Sequence, residues 1–197
     1  ISYRLVGSEM CIRDRKCREP AGSFNIGATL TIGNYLAIPL ITAFKKRYPL
    51  SDLKLHIANT EQVAGDVLGF KIDMGLIEGE YSHADLDVQP WRNDELAVFC
   101  SPTHPFAGDS ALEDSAIVQA QWVMREKGSG TRQTFDRAMQ GLHNETSVFM
   151  ELEHTEAIKC AVDTGEVLGC ISRIALDDDF KRGRYVELKV PHRDMRR

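Results

Sequence analysis

From Ser23 onward the chain alternates between two hydrophobic periods, and this restricts it to a parallel sheet covered by helices. Phe24, Ile26 and Ala28 follow a two-residue repeat, as on a strand. After a polar break at Thr29 and Thr31, Leu36, Leu40, Phe44 and Tyr48 recur every fourth residue, the spacing of an amphipathic helix with a buried stripe. Pro39 removes one ladder bond near the second turn and predicts a mild bend; Pro49 ends the helix. Leu53, Leu55 and Ile57 alternate again. Asn59 and Gln62 have the spacing of a capping box, and Val63, Val67 and Leu68 form the stripe of the helix it opens. Met74, Leu76 and Ile77 give a third strand. Strand, helix, strand, helix, strand is the pattern of an α/β fold.

A second round follows. Leu96 to Cys100 is continuously apolar and reads as a strand buried on both faces. The two prolines in 102–105 mark a change of lobe. Residues 121–124, 148–152, 168–171 and 185–190 read as strands. Helices are expected through Phe135, Met139 and Leu142, and through Ile158 and Val162. The halves share a pattern but no sequence repeat.

Charge and cysteine usage narrow the function. The formal net charge is −5, and the basic clusters are Lys45-Lys46-Arg47 and the chain end. A domain that grips phosphate backbones is basic or carries a basic stripe, so this chain alone is expected to bind nucleic acid poorly. The five cysteines are odd in number and lack a C-x-x-C pair, which disfavours a disulfide framework or a zinc site and fits a reducing cytoplasm. Cys100 and Cys170 read as small core residues. No apolar run approaches a bilayer span, so no membrane partner is expected. Residues 1–20 show no sustained apolar period, lack the h-region of a signal peptide and resemble translated sequencing-adapter sequence. They are expected to be a non-native, disordered leader.

Four strand-to-helix junctions carry small polar residues: Thr29 and Thr31; Asn59 and Thr60; Ser129, Gly130 and Thr131; and His154 with Thr155. In open parallel sheets ligands bind at the carboxyl ends of strands. Helix N-termini there present free N–H groups and partial positive charge to a small anion. Each junction alone is equally an ordinary N-cap. The glycines around Ser129 add something a cap does not need, since they let backbone approach a ligand closely. Arg125 and Arg132 flank that junction and could pair with a carboxylate or oxyanion, although Arg132 reads more simply as a solvated charge at a helix start. Catalytic motifs are absent from the sequence: there is no G-x-S-x-G, no H-E-x-x-H and no phosphate-binding P-loop. No cofactor, metal or enzymatic activity is expected. Asp177-Asp178-Asp179 reads as a solvated turn or helix face.

Three segments resemble the effector-binding domain of LysR-type transcriptional regulators. They are Gly27 to Leu36, Asp73-Met74-Gly75-Leu76-Ile77-Glu78-Gly79, and Arg125-Glu126-Lys127-Gly128-Ser129-Gly130-Thr131-Arg132. Glu156 to Lys159 and Ser172-Arg173 fit its later part. Asn59-Thr60-Glu61-Gln62 and Val67-Leu68-Gly69-Phe70 are closest to the branch similar to sulfur-assimilation regulators. The resemblance implies two Rossmann-like lobes of the periplasmic-binding-protein type II kind, joined by two crossing strands. Lobe I would be residues 21–100 plus 174–197, and lobe II residues 101–173. It implies a small, anionic effector in the inter-lobe cleft, contacted by Thr29, Thr31, Thr60, Ser129, Thr131 and Thr155. It further implies a homodimer, a tetramer in the full-length form, and DNA binding only through an N-terminal winged helix-turn-helix absent from this chain. Gly165-Glu166-Val167 departs from the family's G-x-G turn, and the family usually continues beyond residue 197 with a strand and a helix. A periplasmic-type solute-binding protein for a small anion shares the fold and is the alternative.

Overall fold

The computed structural model describes residues 2–7, 22–109, 111–142 and 145–197. The chain divides into two compact units, Ile1–Asn93 and Asp94–Arg197.

Unit 1 is built on strands β1 (Ser2–Gly7), β2 (Gly22–Thr29), β3 (Ser51–Ala58), β4 (Met74–Ile77) and β5 (Asp87–Asn93). They lie in the order β3-β2-β4-β1-β5. β2 runs parallel to β3 and β4, as the alternating pattern predicts, and β1 runs antiparallel to β4 and β5. Ser2–Gly7, within the expected leader, form a strand whose backbone pairs with both β4 and β5. Residues 8–20, the rest of the expected leader, lie outside the described residues. β5 escapes the hydrophobic pattern because its side chains are largely exposed, and Pro90 sits where β1 and β5 shift register.

Helix α2 (Thr60–Leu68) opens with the predicted capping box and closes one face of this sheet. Val63, Ala64 and Val67 pack with Ile72, Ile77 and Leu86. The packing is tight enough that a Cβ on Gly27 would lie 2.4 Å from Ile72 Cδ1 and 3.0 Å from Val63 Cγ1. Helix α1 (Ile38–Arg47) behaves differently from its pattern. It follows a π-helical turn, Ile32–Ala37, and Pro39 falls at its start. The wider turn replaces the expected simple bend, because proline supplies no N–H to the ladder. None of the α1 residues is buried; Leu40 is 54% exposed and Phe44 37%. Instead of a buried stripe they line an apolar groove of about 310 Å³ with Phe24, Leu53, Met74 and Trp91.

Unit 2 contains β6 (Leu96–Cys100), α3 (Asp114–Gln119), β7 (Gln121–Arg125), α4 (Gly130–Ala138), β8 (Ser147–Leu152), α5 (Thr155–Val162), β9 (Leu168–Ser172), α6 (Asp177–Lys181) and β10 (Val186–Leu188). The sheet order is β10-β6-β9-β7-β8. β7 is parallel to β8 and β9, while β6 is antiparallel to β9 and β10. The lobe boundaries expected from the resemblance differ from this division. Leu96–Cys100 and the segment after Ser172 belong with unit 2, because β6 pairs with β9 and β10 and its side chains enter that unit's core. Leu112 N–H donates to the Lys189 carbonyl at 2.8 Å, and Leu188 and Met195 join the same core. Its centre is Trp122, wholly buried, edge-on to Phe135 at 5.0 Å between ring centroids. Cys100 and Cys170 are buried free thiols, as expected; burial pushes them up to about 11 and about 12 respectively.

Buried His104 accepts a hydrogen bond from the Phe106 N–H through Nδ1 at 3.1 Å. Burial disfavours the imidazolium and holds its pKa below the ordinary histidine value. Below about pH 6.5 the unfolded chain therefore takes up a proton that the folded chain resists, so stability falls as pH drops through that window. The thermal midpoint is expected to fall between pH 7 and pH 5.5, and His104→Asn to flatten that decline. Equal slopes in a thermal melt series would remove His104 from the pH response.

Candidate functional site

Each unit gathers its candidate residues at the carboxyl end of its own parallel strands. In unit 1, Thr29 ends β2 opposite Ala58 at the end of β3, so Thr29 and Thr31 share a sheet end with Asn59 and Thr60. Their hydroxyls are not equivalent. Asn59 is a true cap: its side chain accepts from Gln62 N–H at 3.0 Å. Thr60 donates to the Glu78 carbonyl at 3.0 Å, so its hydrogen is already committed. Thr31 is buried in the first helical residues and makes no side-chain cap bond. Thr29 is 2% exposed, and its Oγ1 has no hydrogen-bond partner among the described residues. A buried hydroxyl without a partner costs roughly 1–3 kcal/mol, which a ligand that accepts its hydrogen would recover.

In unit 2, Ser129, Gly130 and Thr131 follow β7, and Thr155 follows β8, the two strands being paired in parallel through Arg125 and Leu152. Gly128 has φ +87°, the left-handed region that the turn into α4 uses. Ser129 caps α4, its Oγ accepting from Thr131 N–H at 3.2 Å. Gly130 is buried at the first helical position, and its carbonyl accepts from Thr134 Oγ1 at 2.9 Å. Thr155 is buried at the first position of α5, with no side-chain cap bond from His154. The flanking arginines are already engaged. Arg125 is buried and holds Glu126 in two bonds, at 2.8 and 2.9 Å. Arg132 bridges Asp136 at 2.9 Å and Glu151 at 3.0 Å, so it is more than a solvated charge at a helix start. Asp179 is likewise no mere solvated charge, since it pairs with buried Lys159 at 2.8 Å.

The sequence reading did not single out Asp94 or Arg197, and marked Ser172 only through the family resemblance. The Asp94 carboxylate accepts from Ser172 Oγ at 2.9 Å and from Arg197 Nε at 2.8 Å; Arg197 Nη1 donates to Thr131 Oγ1 at 2.7 Å. Asp94 and Arg197 lie 103 positions apart, and no local pattern marks such a pair. The one available signal was a basic chain end beside an otherwise acidic composition.

An apolar groove lies against α1 in unit 1. Its lining offers no convergent polar set to orient a ligand. Among the described residues no cluster of metal-ligating side chains occurs, and no helix is long and apolar enough to cross a membrane.

Two α/β units, each with parallel strands ending on small hydroxyl residues and helix N-termini, define a ligand-binding domain of the type II periplasmic-binding-protein-like fold. More narrowly, the chain belongs to the LysR substrate binding domain family, whose model matches residues 18–197. It is 38% identical over 175 residues to the uncharacterized HTH-type transcriptional regulator YeiE of Escherichia coli K12, covering 88% of this chain. It is 34% identical over 159 residues to the HTH-type transcriptional regulator CysL of Bacillus subtilis, covering 81% of this chain. The chain spans 59% and 53% of those relatives' lengths. The Synechocystis PCC6803 CcmR regulatory domain in complex with 2-PG superposes with a TM-score of 0.79 at 27% identity, over 89% of this chain and 84% of that one. The effector binding domain of QuiR in complex with shikimate shares the fold, with a TM-score of 0.78 at 16% identity over 90% of this chain and 84% of that one. YeiE and CysL both carry the names of transcriptional regulators.

Proposed function

We propose that this chain senses a small anionic effector for a cytoplasmic transcriptional regulator. Each unit offers the effector its own set of contacts: Thr29 and Thr31 in unit 1, and Ser129, Gly130, Thr131 and Thr155 in unit 2. Asn59 and Thr60 fix the start of α2 beside the first set. The observation that carries this reading is the buried Thr29 hydroxyl, which finds no acceptor among the described residues. The 2-PG held in the CcmR complex and the branch resemblance to sulfur-assimilation regulators both favour an oxyanion, with an inorganic sulfur oxyanion as the first candidate. DNA binding belongs to an N-terminal winged helix-turn-helix outside this chain. The regulator works as a homodimer, or a tetramer at full length, whose arrangement responds to effector.

Thr29→Val separates the ligand role from a structural one. Valine suits strand β2 and removes the orphan hydroxyl, so the unliganded melting temperature is expected to hold or rise. A thermal-shift screen with sulfate, sulfite, thiosulfate, inorganic phosphate and 2-PG identifies the anion that stabilises the parent chain by mass action. Affinity for that anion is expected to fall by about 1–2 kcal/mol in the variant. Unchanged affinity by calorimetry would take Thr29 out of the site.

A further inference from the structure

We infer that Arg197, held by Asp94, is a positioning residue that turns the Thr131 hydroxyl at the start of α4 toward donating and thereby selects an oxyanion. The inference rests on the reading of that helix start as part of the effector site. A threonine or serine hydroxyl can donate one hydrogen and accept through its lone pairs, so by itself it does not choose between donor and acceptor ligands. Here the choice is made by neighbours. Arg197 Nη1 donates to Thr131 Oγ1 at 2.7 Å, and the Thr131 hydroxyl donates to no acceptor among the described residues. Ser129 Oγ accepts from Thr131 N–H at 3.2 Å, and its own hydrogen is likewise unspent among the described residues. Both side chains are at least 97% buried, with exposures of 2% for Thr131 and 3% for Ser129. Two buried hydroxyls that already accept can satisfy themselves only by donating. They sit at the N-terminus of a nine-residue helix whose partial charge is positive. A ligand group that only accepts, such as a carboxylate, sulfate or phosphate oxygen, takes both unspent hydrogens; an N–H or ammonium can meet only a remaining lone pair and leaves both hydrogens buried without an acceptor.

The guanidinium reaches Thr131 in one orientation because Asp94 pins it. Asp94 Oδ2 takes Arg197 Nε at 2.8 Å, and both side chains are almost wholly buried. Ser172 Oγ, 2.9 Å from both carboxylate oxygens, fixes the acid in turn. The backbones are tied as well: Arg197 N–H donates to the Asp94 carbonyl at 2.8 Å, and Asp94 N–H to the Arg197 carbonyl at 3.1 Å. Because the cation is neutralised by its acid, it orients Thr131 without presenting a net charge of its own.

Calorimetry on the 197-residue chain tests this with sulfate, inorganic phosphate and 2-PG as probes and dimethyl sulfone as an uncharged acceptor. Arg197→Met, and the charge-neutral Asp94→Asn/Arg197→Met pair should the single variant not fold, are compared in the parent and Thr131→Val backgrounds. The expected result is a loss of about tenfold in affinity for the bound anion in the parent background and less than twofold with Thr131→Val, as for a residue acting through that hydroxyl. An equal loss in both backgrounds, or none, overturns the role of Arg197 and leaves the site standing. Anion binding indifferent to Thr131→Val itself overturns the placement of the site at α4. Dimethyl sulfone binding as tightly as the anions overturns the oxyanion selection while the Thr29→Val comparison still decides the unit 1 contacts; no anion binding at all overturns the proposed function together with the selection.

Discussion

Trp122→Ala is expected to lower the unfolding free energy of unit 2 by roughly 3–5 kcal/mol, the range for emptying a large aromatic site in a packed core. Trp122 is wholly buried on β7 and is surrounded by side chains from β6, β9, α3 and α4. Its indole also carries a polar contact, Nε1–H donating to the Ile117 carbonyl at 2.9 Å. That bond ties α3, a helix of only six residues, to the sheet. Truncation removes apolar area, breaks the edge-on contact with Phe135 and leaves a buried carbonyl without this donor. Trp122→Phe retains most of the volume and is expected to cost less than half as much. Urea titration followed by circular dichroism measures both. A midpoint for Trp122→Ala within error of the parent would mean that the core is not organised around this ring.

The route from sequence to fold succeeded wherever burial is periodic. Val63, Val67 and Leu68 announce α2, and Asn59 with Gln62 announces its cap, because these contacts lie within one or two helical turns. The continuous run Leu96–Cys100 is buried throughout, as it reads. Its membership was less legible: which sheet a strand joins depends on partners at β9 and β10, more than 70 positions away for Leu96 and Ser172. The α1 stripe misled for a related reason. Four-residue spacing reports that one helix face is apolar, not that a neighbour covers it, and Leu40 and Phe44 remain open on their groove. At the candidate site, hydroxyl residues at strand ends were legible as types. What each hydroxyl is free to do was not. Thr60 is committed to Glu78, Thr131 is turned into a donor by Arg197, and the Thr29 hydroxyl has no partner among the described residues. Those differences come from atoms 18 and 66 positions away for Thr60 and Thr131.

Asp94→Ala is expected to destabilise unit 2 by roughly 3–5 kcal/mol, because it breaks a buried ion pair by removing the carboxylate that holds the Arg197 guanidinium. Asp94 and Arg197 pair at 2.8 Å with side-chain exposures of 2% and 0%, and solvent cannot replace the lost carboxylate without opening the core beside Ser172. The same substitution removes the acceptor of the Ser172 hydroxyl. The Asp94→Asn/Arg197→Met pair keeps side-chain volume, retains an acceptor for Ser172 and buries no charge, so it is expected to be more stable than Asp94→Ala despite carrying two changes. Salt provides a second readout. Surface pairs such as Lys181 with Asp178 are screened at 1 M NaCl, whereas a buried pair is screened far less, so the deficit of Asp94→Ala is expected to persist there. Denaturant midpoints at low and high salt decide the matter. A deficit that vanishes in salt, or a double variant weaker than Asp94→Ala, would place Arg197 in water and remove the basis for its hold on Thr131.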